Sequence, residues 1–149
     1  MIKLHVCFTG LFPDENFSNM NLVIDKLEKS QDIDVQFHII FDPNQMGIDR
    51  HGRKLTIVGD KIKQLVDDKG INEFRYDSLF LKSNKSSIGV DSVMIQQESI
   101  SSFLYSDICS DDDYVLRTRG DVRIRDEDLS RFLDSGWYDK LKNKMFLPF

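Results

Sequence analysis

Two apolar runs, residues 2–9 (IKLHVCFT) and 34–41 (DVQFHIIF), flank a segment of helical periodicity. No other feature of the chain constrains its fold as much. Apolar residues at consecutive positions, rather than at alternate ones, belong to strands covered on both faces. Gly10 breaks the first run, and Asp42-Pro43-Asn44 stops the second. Between them, Phe17, Met20, Ile24 and Leu27 recur at helical spacing over residues 17–29, with charge on the other face. A buried strand, an amphipathic helix and a second buried strand predict a parallel βαβ unit.

The alternation continues. Residues 46–59 are polar and contain glycine, which predicts a loop or hairpin-like excursion with a candidate short strand at 55–58. Asp60 is placed to cap a helix running to about 68, with Ile62, Leu65 and Val66 inward and Gly70 ending it. Residues 71–81 hold a weaker strand, with Phe74, Tyr76, Leu79 and Phe80 as its apolar members, and 82–89 is a polar loop. Asp91 is expected to cap a helix to about 107 whose core stripe is Ile100, Phe103 and Leu104. An acidic turn at 111–113 leads into a fourth strand at 114–119. Asp126 is expected to cap a helix through Leu133, closed by Gly136, with a further turn at 137–141. Residues 145–149 read as the start of a fifth strand. The fold class expected is α/β, three-layered, with a mainly parallel sheet and one domain over residues 1–149. Right-handed crossovers put the functional edge at the carboxyl ends of the strands: Thr9-Gly10, Asp42-Pro43, a point near Asp77, and residues 119–121.

Composition narrows the function classes. A formal charge of −5 argues against a general nucleic-acid binder, whose footprint is a basic patch. Cys7 and Cys109 lie far apart in apolar stretches, which reads as buried free thiols in a reducing compartment. Residues 1–12 lack a basic leader and a cleavage site, and no run approaches the length of a membrane-spanning helix. A cytoplasmic protein without a transmembrane segment is expected.

The run over 114–124, YVLRTRGDVRI, starts as an apolar strand and becomes charged halfway. Arg117, Arg119 and Asp121 share parity, so an extended backbone points all three to one face. Two guanidinium groups buried beside a core call for an anion, whether Asp121, another carboxylate or a bound phosphate. Guanidinium forks match a diphosphate, and Asp121 could hold Mg²⁺ or Mn²⁺ with substrate phosphates and waters completing the octahedron. The bland alternative is an Arg–Asp network closing the strand end.

Thr9-Gly10 offers a hydroxyl and a close backbone approach, but it lacks the further glycines of a dinucleotide fingerprint and a Walker lysine. Asp42 could hold a ribose or an amine, or simply accept from nearby backbone as a turn residue. Of Gln96 and Gln97, one could turn toward the crevice; the alternative is that both lie on a solvated helix face. His5 and His38 read as core histidines, and His51 lies in a polar loop; the three make no metal spacing.

The segment 94–99 (MIQQES), followed by Tyr114-Val115-Leu116-Arg117-Thr118-Arg119-Gly120-Asp121, resembles the WavE-type polysaccharide glycosyltransferases of the GT-A fold. The opening strand with Thr9-Gly10 also resembles that family's first strand and sugar-nucleotide loop. The resemblance implies a Rossmann-like, GT-A-type nucleotide-sugar domain, a nucleoside diphosphate sugar as donor, a glycan or polysaccharide as acceptor, and a divalent metal or basic residues at the diphosphate. Thr9, Gly10, Asp42, Gln97, Arg117, Arg119 and Asp121 become the donor-binding set, with Asp121 as the metal candidate. The chain departs from the family in two respects. Asp121-Val122-Arg123 replaces the second acid of an Asp-x-Asp signature with a base, which favours direct neutralisation by arginine. Members of the fold usually exceed roughly 200 residues, beyond a minimal domain, so a donor-binding portion is expected, truncated at 145–149 and pairing with another chain through that edge. The alternative from another class is a non-catalytic α/β module that completes or regulates a partner.

Overall fold

The first apolar run forms β1 (Ile2–Thr9), and its position at the heart of a parallel sheet explains its composition. The structure is a computed structural model and describes residues 2–30, 32–43, 47–48, 54–55, 58–79, 88–120 and 122–140. A turn of 3₁₀ helix (Asp14–Asn16) follows β1 and leads directly into α1 (Phe17–Glu28). The second run is β2 (Ile33–Phe41). Two-residue strands β3 (Gly47–Ile48) and β4 (Lys54–Leu55) form a small antiparallel pair in the excursion. Then come α2 (Asp60–Lys69), β5 (Asn72–Arg75), α3 (Ile88–Leu104), β6 (Tyr114–Arg119), α4 (Asp126–Asp134) and α5 (Trp137–Lys140). The fifth strand expected at 145–149 lies outside the described residues. Among the described residues, no helix is long and apolar enough to cross a membrane.

The main sheet has the order β5-β2-β1-β6, and all its pairings are parallel. Alternate residues of each strand face opposite layers. Leu4, Val6 and Phe8 pack with Phe37, Ile39 and Phe41 against Met20, Val23, Ile24 and Leu27 of α1. Ile62, Leu65 and Val66 of α2, Leu129 of α4 and Trp137 of α5 complete that layer. On the other face Cys7 and Ile40 meet Tyr76, Phe103 and the partly buried Ile100 and Val115. The result is an α/β fold with helices on both faces of the sheet.

Several helix boundaries differ from expectation. Asp60 is the first helical residue of α2 rather than its cap; the N-cap is Gly59, which has no side chain to offer. Its work is done from elsewhere, because Asp14 Oδ1 accepts the Lys61 N–H at 2.9 Å. Asp126 likewise opens α4 from inside, after Arg125. Helix α3 begins at Ile88, so Asp91 lies within it, and it ends at Leu104 rather than near 107. Phe103 is fully buried, whereas Leu104 is about half exposed and Leu79 largely so. Neither of these leucines belongs to the core.

Candidate functional site

Strands β1, β2 and β5 succeed one another outward, and the chain then returns to place β6 on the free side of β1. The strand order therefore reverses between β1 and β6. In open parallel sheets this is where the connections diverge and leave a crevice beyond the carboxyl ends. The residues at that reversal are Thr9-Gly10 and Arg119-Gly120. Thr9 stands directly opposite Arg119 in register, and Gly120 N–H reaches the Thr9 carbonyl at 3.4 Å.

Gly10 has φ +105°, a conformation that an L-residue adopts only with strain, and a Cβ there would meet nothing within 4 Å. The chain turns sharply while leaving open space on that side. Gly120 is the opposite case: a Cβ would come within 3.1 Å of the Phe12 ring. Thr9 is fully buried, and its Oγ1 has no hydrogen-bond partner among the described residues.

Arg117, Arg119 and Thr9 project to the α3 side of the sheet, since the alternate residues Tyr114 and Leu116 pack into the α1 layer. The parity read from sequence is therefore observed for Arg117 and Arg119. The expected burial of the two guanidinium groups is not: Arg117 and Arg119 are both exposed. They emerge at the end of β6, which among the described residues lies at the edge of the sheet. The partial desolvation of Arg117 and the positive charge of Arg119 both lower its pKa. The Arg117 Nη2 donates to Gln96 Oε1 at 3.0 Å, which ties this guanidinium to α3. Gln96 rather than Gln97 makes this contact; Gln97 is exposed.

Asp42 is buried at the end of β2, and its Oδ2 accepts the Ser78 N–H at 2.8 Å. It ties the end of β2 to the segment after β5, a backbone-accepting role like that of a turn residue but across the sheet. Asp121, the metal candidate, lies outside the described residues.

A second cluster lies on the same face toward the amino ends of the strands. His5 Nδ1 is 2.9 Å from His38 Nε2, and His5 Nε2 is 2.9 Å from Asp113 Oδ2. Phe103 packs against both imidazoles, with centroid separations of 5.5 and 4.7 Å. Burial, followed by the adjacent His5, lowers the His38 pKa to about 4. Asp113 is held below the ordinary carboxylate range by the Ser110 N–H and then by His5. Both cysteines are free; Cys7 is buried and Cys109 is half-buried beside this cluster. Burial raises both thiols, and Asp113 and Asp111 raise Cys109 further, so neither is an activated nucleophile. His5 and His38 are core histidines, as expected, but their coupling to Asp113 was not foreseen. The available signal was strand parity: His5 and Cys7 share a face of β1, and register sets Cys7 opposite His38.

Compared with protein-family models, with curated proteins and with solved structures, the chain gives no match. The chemistry of the site is accordingly read from its own side chains.

Proposed function

We propose that the crevice between the ends of β1 and β6 binds the diphosphate of a nucleoside diphosphate sugar, in a Rossmann-like arrangement of the GT-A type. On this reading the chain is a glycosyltransferase, or its donor-binding portion, acting on a glycan acceptor. The observation that carries the proposal is the placement of Arg117 and Arg119 beside Thr9-Gly10 at the reversal of strand order. Like charges on one face of one strand repel each other, and an anion with two phosphates relieves that repulsion. The open backbone at Gly10 suits the same ligand. Asp121, next after Gly120 in sequence, is the residue proposed to hold Mg²⁺ or Mn²⁺ where a metal takes part. Positioning the donor and neutralising the leaving diphosphate would supply the rate.

Thermal unfolding with uridine and guanosine diphosphates, with and without Mn²⁺, tests the proposal. Ligand at 100 times its Kd adds about 2.7 kcal/mol, a rise of roughly 5–10 °C for a domain of this size. Arg119→Ala and Asp121→Ala should remove most of that rise. No rise with any diphosphate would overturn the proposal and favour a module that binds a partner protein.

A further inference from the structure

The cluster at the amino end of the sheet has the composition of a transition-metal site. His5 Nε2, Cys109 Sγ and a carboxylate oxygen of Asp113 all lie within 4.8 Å of one another. They come from β1 and from the turn that precedes β6, segments that register brings side by side, with Leu4 paired to Tyr114. We propose that His5, Cys109 and Asp113 bind one Zn²⁺ ion, with water in the fourth position.

Imidazole, thiolate and carboxylate together suit a borderline-soft ion, and a hard cation such as Mg²⁺ would not select a sulfur ligand. Zinc bonds of about 2.0–2.3 Å place tetrahedral ligand atoms roughly 3.3–3.7 Å apart. The 2.9 Å separation of His5 and Asp113 is already close to that value. Cys109, on a half-buried turn, supplies the remaining adjustment. Three protein ligands and a water is the ligand count of reactive zinc sites rather than closed structural ones.

The surroundings hold two of the ligands in place. The second nitrogen of a zinc-bound histidine normally engages a polar partner that fixes its tautomer and ring plane. His38 Nε2 stands 2.9 Å from His5 Nδ1 and is positioned for that role, accepting from Nδ1–H once Nε2 binds the ion. The His5 ring is fully buried, and Phe103 contacts it edge-on. The Ser110 N–H donates to Asp113 Oδ2 at 3.0 Å and orients the carboxylate toward the same point. Zinc at His5 Nε2 would leave both imidazoles neutral, His5 with its proton on Nδ1 donating to His38 Nε2 and His38 with its proton on Nδ1, and would release the Cys109 thiol proton to solvent. The site is separate from the diphosphate crevice: His5 lies four residues before Thr9 on β1, about 13 Å along the strand.

Co²⁺, a spectroscopic stand-in for Zn²⁺, tests the proposal on the full chain kept reduced. One equivalent should give tetrahedral visible bands and a near-ultraviolet thiolate-to-cobalt band, and both should vanish when Zn²⁺ is added. Cys109→Ser should abolish the thiolate band, and Asp113→Asn should weaken Co²⁺ binding at least tenfold. Both residues lie in a turn, so these variants should still fold, whereas His5 variants disturb the core. Cys7→Ser should leave the spectrum unchanged. Absence of the thiolate band in the parent chain, its survival in Cys109→Ser or its loss in Cys7→Ser would overturn the proposal.

Discussion

His5 on β1 and His38 on β2 face each other with ring nitrogens 2.9 Å apart, in a layer closed by Phe103. The His38 Nδ1 has no hydrogen-bond partner among the described residues. A proton added to this ring would be buried beside a second imidazole, which is why its pKa falls to about 4.

The consequence is an acid limb of stability. His38 stays neutral in the folded protein down to about pH 4, while in the unfolded chain it protonates near 6.5. Over that interval the unfolded state binds more protons, so stability is complete above pH 6.5 and falls as the pH drops toward 4. The whole limb is of order 3 kcal/mol. Urea unfolding from pH 7 to pH 4 with a chelator present should show it. His38→Gln, which keeps a polar group facing His5, should flatten the slope.

Asp14 caps a helix that starts 46 residues later in the chain, through the Lys61 N–H. Loss of an N-cap side chain costs about 1 kcal/mol, so Asp14→Ala should lower Tm by roughly 2–4 °C. Gly59→Ala should do more harm, because its Cβ would overlap the Asp14 carboxylate and backbone. If Gly59→Ala unfolds at the parent temperature, the close packing of these two segments is wrong.

Arg119→Ala should separate ligand binding from folding. Arg119 is exposed and adds to the positive charge that depresses the Arg117 pKa. Surface substitutions of this kind usually change stability by less than about 0.5 kcal/mol. Unfolding without ligand should therefore match the parent, while affinity for a nucleoside diphosphate falls tenfold or more. Calorimetric titration at low and at high salt checks this, since the remaining affinity should depend less steeply on ionic strength.

Trp137 anchors α5 to the sheet. Its ring stacks on Phe132 and meets Tyr114 edge-on at 5.2 Å, and it is almost fully buried. Trp137→Ala should destabilise by about 3–5 kcal/mol. The indole N–H has no partner among the described residues, so Trp137→Phe should cost much less than Ala. The chain has one tryptophan, so intrinsic fluorescence reports unfolding of this corner in the parent, and circular dichroism reports it in the variants.

Much of this architecture was legible in local pattern. The residues of β6 are those that the sequence suggests, and α1 covers nearly the expected span. Continuous apolar runs specify strands covered on both sides, and helical spacing specifies which residues face them. Helix starts were less legible, because the Asp14 contact that caps α2 spans 47 residues of sequence. Exposure of the arginines was misread for a similar reason. Parity gives the face a residue occupies but not how far the covering helix extends over it.

What the sequence determined by itself, then, is the succession of strands and helices and the face that each strand residue occupies, since both follow from local geometry and hydrophobic period. The tertiary structure alone decided which residues meet. Placing β6 beside β1 rather than beyond β5 brings Thr9 opposite Arg119 and carries Asp113 to His5. Strand order arises from the packing of whole elements, and no local stretch of sequence encodes it.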